Sequence, residues 1–124
     1  MLAMEYPGYG LYGYASKDSN QLLQDALTVF DFATNVLKVR ESDIFVFGRS
    51  IGSSVATYLA KNRNPCFCAL MSPFKSLKQA AIAVVGSFLA SFVAERLNNA
   101  EMLKDVTMPV FVVHGVQDEL IPYT

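Results

Sequence analysis

The segment Phe47-Gly48-Arg49-Ser50-Ile51-Gly52-Ser53 constrains this chain more than any other stretch. Upstream, Ile44-Phe45-Val46-Phe47 is a β-branched and aromatic run of the kind buried in parallel sheets. Downstream, Ile51, Val55 and Leu59 recur every four residues, which predicts one buried helical stripe. A strand that passes into a helix at a serine must hold that serine in a strained conformation. Gly48 and Gly52 flank it because side chains there would collide in so tight a turn. The hydroxyl is then exposed at a helix N-terminus, where the dipole and unpaired amides favour negative charge. That is the geometry of a nucleophile elbow. The same strand–glycine turn–helix also suits a phosphate, or a tight turn with no chemistry.

A second motif, Pro109-Val110-Phe111-Val112-Val113-His114-Gly115-Val116-Gln117-Asp118-Glu119-Leu120-Ile121-Pro122, bears on that choice. Proline is tolerated at the opening of a strand, where its missing amide costs little. Val110 to Val113 suits a sheet covered on both faces, and His114-Gly115 ends it. Asp118 then falls in the loop beyond the strand's C-terminal end, the edge where open α/β sheets bind ligands. A carboxylate there, later in the chain than the serine, fits the order Ser…Asp…His.

With these residues in place, the chain resembles part of an α/β-hydrolase-fold serine hydrolase, similar to the BEM46-like group and its protein-depalmitoylating relatives. The matching pieces are Glu5-Tyr6-Pro7-Gly8-Tyr9-Gly10, Gly48-Arg49-Ser50-Ile51-Gly52, Ser72-Pro73-Phe74, and His114-Gly115 with Asp118-Glu119 and Ile121. They span almost the whole chain in that family's order. The resemblance implies a partial α/β-hydrolase fold, a mostly parallel sheet with flanking helices. It implies Ser50 as the nucleophile, Asp118 as the acid that orients a histidine, and the Ile51 amide as an oxyanion donor. Tyr9, Pro73, Phe74 and Phe88 would border the pocket or lid. No metal and no cofactor are expected.

The same resemblance implies pieces that residues 1–124 do not carry. The family's catalytic histidine follows the acid beyond a further strand, whereas the only histidine here, His114, precedes it. A strand-end histidine beside a glycine is expected to be a packed structural residue rather than a base. The second oxyanion amide comes from a strand–loop element ahead of Glu5-Tyr6-Pro7-Gly8. In the family's sheet that strand lies between the ones expected at Leu2–Tyr6 and Ile44–Phe47. The expectation for 1–124 is therefore an incomplete α/β-hydrolase domain, lacking N-terminal strands and the C-terminal strand with its histidine, and inactive alone.

Composition agrees with a globular piece of a larger domain. Hydrophobic residues make up 52% of the 124, enough for a core. Single α/β domains of this kind run to about 200–250 residues. The formal net charge of −1 gives no reason to expect nucleic acid or an anionic surface as partner. Met1 to Tyr6 lacks the basic start of a signal peptide. Cys66 and Cys68 alternate along an expected strand, Cys66–Met71, on one face. That spacing is poor for a disulfide, and two thiols make no zinc site. Buried free thiols in a reducing cytosol are expected.

Strands and helices alternate along the chain, which predicts βαβ units. Leu2 to Tyr6 reads as the first strand and Pro7 to Ser16 as a Gly/Tyr-rich loop at a pocket edge. Its tyrosines could stack on nucleic acid, but the run is short and lacks positive charge. A helix from about Asn20, capped by Ser19 or Asp18, is expected to bury Leu23, Leu27, Phe30, Ala33 and Leu37. Gln79 to Ala94 carries no charge, yet is too short and too rich in Ala, Ser and Gly for a membrane span. It reads as a buried helix or as a lid that shapes an acyl pocket, with reversible membrane contact as a further role.

The function expected is acyl transfer to water from an ester or thioester, as in an acyl-protein thioesterase, in the cytoplasm or at a membrane surface. A lipidated protein is one such substrate. Three alternatives stay open: a peptidase of the same fold, a non-catalytic truncated product that binds lipid or protein, and an unrelated α/β domain that holds anions at the elbow.

Overall fold

The computed structural model of the chain describes residues 1–14, 18–78 and 97–123, in two compact units, Met1–Arg40 and Glu41–Thr124. In the first unit, residues 1–6 have no regular structure, which corrects the strand expected at Leu2–Tyr6. A strand exists by its ladder, and no described segment pairs with these residues. A short 3₁₀ turn, Gly10–Tyr12, follows, and the Gly8 amide closes the loop onto the Tyr12 carbonyl at 3.0 Å.

Helix α1 (Ser19–Asp31) opens at Asp18, whose side chain accepts the Asn20 amide at 3.1 Å. That bond satisfies one of the first-turn donors. Its buried residues are Leu22, Ala26 and Phe30, and Ala33 continues the row; Leu23 and Leu27 are only half-buried. The stripe is thus rotated by one residue from the expected one. Leu37 leaves it altogether at 51% exposure. The cause is a wider π turn over Phe32–Val36, in which the Leu37 amide bonds to the Phe32 carbonyl five residues back. One extra residue per turn swings Leu37 off the buried side.

The second unit is built from β1 (Phe45–Arg49), α2 (Ile51–Asn62), β2 (Phe67–Met71), the short α3 (Asn99–Met102) and β3 (Val110–Val113). The three strands are parallel in the order β1-β2-β3, with Phe47, Ala69 and Phe111 in one register row. Helix α2 lies on β1 and β2 and covers Val46, Gly48, Cys68 and Leu70. Phe45 and Phe47 stand on the opposite face and are exposed, with the Phe45 and Phe67 rings 5.9 Å apart across the strands. All of β3 is exposed.

Four expectations fail in this unit, two of them in the strands just described: the Ile44–Phe47 run is buried on one face only, and Val110–Val113, expected to be covered on both faces, is covered on neither. Cys68 is fully buried, and burial pushes its thiol up to about 11, but Cys66 is exposed. Cys66 precedes β2, next to Pro65, so the pleat does not fix its direction. Helix α2 buries Ser53, Ser54 and Thr57 completely alongside Gly52, Val55, Ala56 and Ala60, while Ile51 is 42% exposed and Leu59 only half-buried. The tight entry into α2 brings its axis close to the sheet, and only small side chains fit between. Their hydroxyls are satisfied by carbonyls: Ser53 by Ser50, Thr57 by Ser53, Ser54 by Leu97. The Gln79–Ala94 segment lies outside the described residues.

Candidate active site

Because the sheet is parallel, β1, β2 and β3 all release their chains at one edge, and the candidate residues collect there. Ser50 follows β1, Ser72 follows β2, and His114 and Asp118 follow β3. Ser50 and Asp118 thus flank the end of β2, with strand ends about 10 Å apart by ordinary strand spacing.

Ser50 is exposed and has φ 51° and ψ −120°, a conformation that costs a non-glycine residue about 1–3 kcal/mol. Its amide is committed to the Met71 carbonyl at 3.0 Å, which ties the turn to β2. Its own carbonyl accepts the Ser53 amide at 2.9 Å and the Ser53 hydroxyl at 2.6 Å. At Gly48 a Cβ would lie 2.8 Å from Ser53 Cα and closer still to the Gly52 carbonyl, so only glycine fits. Ile51 is the first residue of α2, where the amide has no partner inside the helix. An anionic oxygen formed on a group attached to Ser50 would meet that amide and the positive end of the helix.

The Asp118 loop is as tightly organised. The Asp118 amide bonds back to the Gly115 carbonyl at 3.0 Å, and Oδ1 accepts the amides of Ile121 at 2.9 Å and Leu120 at 3.1 Å. The Ile121 amide above all, with the Leu120 amide, nearby His114 and the Ser72 hydroxyl, holds the carboxyl below its ordinary 3.8 against partial desolvation. Asp118 is therefore an anion at neutral pH, with Oδ1 occupied by the backbone. His114 Nε2 lies 3.5 Å from Oδ2 but 2.7 Å from the Ile121 carbonyl. A carbonyl only accepts, so Nε2 carries a proton and donates it there. His114 is thus a brace of the acid loop.

Of the other expected residues, Pro73 is half-buried beside Ser72 and Phe74 is buried. Tyr9 is an exposed residue of the first unit, and Phe88 lies outside the described residues. Among the described residues no group of three or more His, Cys, Asp or Glu side chains is placed to hold a metal.

Two residues escape the sequence reading. Ser72 adopts a left-handed φ of 45°, sends its amide to the Val113 carbonyl at 2.8 Å, and has its hydroxyl near enough to Asp118 to help hold that carboxyl ionised. Its run with Pro73 and Phe74 is visible in the sequence, but not its tie to the acid. Asn99, 2% exposed, donates from Nδ2 to Ser53 Oγ at 2.9 Å and to the Phe74 carbonyl at 2.8 Å. The signal for it is slight: Asn98 and Glu101 read as a helix start, and Asn98 does accept the Glu101 amide at 3.1 Å.

No protein-family model matches the chain. Along its whole length it is 32% identical to an uncharacterized protein of Mycobacterium tuberculosis, of which it covers 44%. It is 24% identical to the mouse (Mus musculus) lysophosphatidylserine lipase ABHD12, over 99% of the chain and 35% of that protein. An α/β hydrolase from Vibrio vulnificus superposes with a TM-score of 0.72 at 23% identity, over 83% of this chain and 41% of that one. The fold is part of an α/β hydrolase. The expected fold class therefore holds, and the chain spans less than half the length of the relatives named. In the α/β-hydrolase fold, a serine at a sharp strand-to-helix turn and an acid after a later strand are the places where catalytic groups are carried.

Proposed function

We propose that residues 1–124 belong to a serine hydrolase that cleaves an acyl ester or thioester, with Ser50 as nucleophile and Asp118 as the orienting acid. The observation that carries this reading is Ser50 itself. Its hydroxyl is exposed on a left-handed residue between β1 and α2, over a glycine that no other residue could replace. Likeness to α/β hydrolases supports it, and a relative named as a lysophosphatidylserine lipase favours acyl chains of lipids. Protein-linked acyl thioesters are the finer form of the same proposal.

The chemistry is that of an acyl-enzyme. Ser50 Oγ attacks the carbonyl carbon as a base takes its proton, and the tetrahedral oxyanion accepts the Ile51 amide. Collapse expels the alcohol or thiol, which takes up the proton, and water then releases the acid from Ser50 by the same steps. The base and the second oxyanion donor belong, in this proposal, to sequence outside 1–124. One such donor is worth about 3–4 kcal/mol. Pro73, half-buried beside Ser72, would border the acyl pocket. Among the described residues no helix is long and apolar enough to cross a membrane. A lipid or lipidated-protein substrate would bring this site to a membrane surface.

The test is labelling of the full-length protein with a fluorophosphonate, which phosphonylates an activated serine. Ser50→Ala should abolish labelling and leave the fold intact, and persistent labelling of that variant would overturn the assignment. Turnover of a short acyl ester and an acyl thioester, with no turnover of an N-blocked peptide, separates this activity from a peptidase.

A further inference from the structure

We propose that Asn99 is a positioning residue for Ser50, acting through Ser53; the proposal rests on Ser50 being the nucleophile. Ser53 lies one turn into α2, fully buried, and its single hydroxyl proton goes to the Ser50 carbonyl at 2.6 Å. A serine that bonds back to its own helix is common and has other rotamers to visit. Here the lone pair of the same hydroxyl receives Asn99 Nδ2 at 2.9 Å, from a residue 46 positions away. With one side of the hydroxyl taken by a donor, its proton is left pointing at Ser50.

The amide of Asn99 is itself fixed. Its second Nδ2 proton goes to the Phe74 carbonyl at 2.8 Å, so rotating the amide would set an oxygen against two acceptors. Among the described residues the Asn99 Oδ1 that this orientation leaves behind has no partner. Around it, the Ala100 amide bonds to the Lys75 carbonyl at 3.2 Å, and Ser76 and Asn98 form a bridge. Asn99 thus clips the entry of α3 and the loop after β2 to the strained turn that carries Ser50.

The proposal specifies a chain of action, Asn99 to Ser53 to the Ser50 carbonyl, and a double-mutant cycle reads it. In the full-length protein, Asn99→Ala and Ser53→Ala should each lower kcat by about 100-fold, the scale of a nucleophile misplaced by a fraction of its own length, with KM within about twofold. The double variant should be no slower than either single one. Independent effects that multiply to about 10⁴-fold, or losses in KM rather than kcat, would overturn it. Should Asn99→Ala fail to fold, Ser53→Ala carries the test alone: kcat unchanged from wild type would refute the relay. Absence of Ser50-dependent fluorophosphonate labelling in the wild type would remove the nucleophile, and this proposal with it. Labelling intact with Asn99 and Ser53 without effect would remove only the relay.

Discussion

The imidazole of His114 donates through Nε2 to the carbonyl of Ile121 at 2.7 Å, and so closes the loop that carries Asp118. This bond makes His114 a support of the Asp118 loop, and in the proposed mechanism it leaves proton transfer from Ser50 to another group. His114→Gln, whose amide nitrogen can reach the place of Nε2, should keep turnover of the full-length protein within about tenfold. A catalytic base would behave otherwise, since its loss costs on the order of 10⁶ in kcat. A fall of four or more decades in steady-state ester hydrolysis would show that His114 is the base after all.

Asp118 should respond quite differently. Asp118→Asn keeps the size of the side chain and an acceptor for the Ile121 and Leu120 amides, yet loses the charge that would stabilise an imidazolium. Turnover should fall by about four orders of magnitude with little change in structure. Glu119 is exposed, and Glu119→Gln should matter little. A larger loss from Glu119→Gln than from Asp118→Asn would reverse the assignment.

The depressed pKa of Asp118 also predicts how its loop answers to acid. A carboxyl held lower in the folded state contributes stability that is fully present above its unfolded value, ordinarily 3.8, and lost as pH falls through the folded one. Protection of the Leu120 and Ile121 amides, read as exchange relative to an unfolded chain at the same pH, should therefore hold from neutrality down to about pH 4 and fall only below it. Asp118→Asn should abolish that acid-side change. Loss of protection already above about pH 5 would overturn this account of the loop.

What the sequence made legible here is the backbone-demanding part. Gly48 and Ser50 announce their turn because few residues satisfy it, Asp18 its helix start, and the Val110–Val113 run its strand. Burial was harder. Leu22 and Leu23 each begin a four-residue apolar series, and only packing and the π turn after Asp31 choose between them. In α2 the expected stripe holds only at Val55; Ile51 and Leu59 point away from the face that the tight turn buries, where Ser53, Ser54 and Thr57 lie instead. The expected strand at Leu2–Tyr6 depends on a neighbour, which no local pattern can supply. Asn99 was invisible for the same reason: its meaning lies in Ser53 and Phe74, far off in the chain.

The two cysteines offer a check on the strand boundary. Cys68 is enclosed under α2 with its thiol pushed up to about 11, whereas Cys66 stands exposed just before β2. The thiolate is the reactive form, and burial both suppresses it and blocks access. Iodoacetamide at pH 8 should alkylate Cys66 in the native protein and spare Cys68 until denaturant is added. Equal native labelling of both would mean that α2 does not cover β2 as described.

Strain at the elbow predicts opposite effects of two small substitutions only two residues apart. Ser50→Gly removes the side chain from a residue at φ 51° and, with it, a conformational cost of about 1 kcal/mol. Glycine also adds freedom to the unfolded chain, which offsets part of the gain. The variant should be inactive yet at least as stable as the wild type in urea unfolding. Gly48→Ala introduces a single methyl where the Gly52 carbonyl and Ser53 Cα already stand, and both are backbone that cannot turn aside. It should lose about 1–3 kcal/mol, the usual cost of overpacking, and lose activity because the turn must open to admit the methyl. A stable Gly48→Ala protein, or a Ser50→Gly protein less stable than wild type by more than about 1 kcal/mol, would show that the turn is not held under the strain its dihedral angles describe.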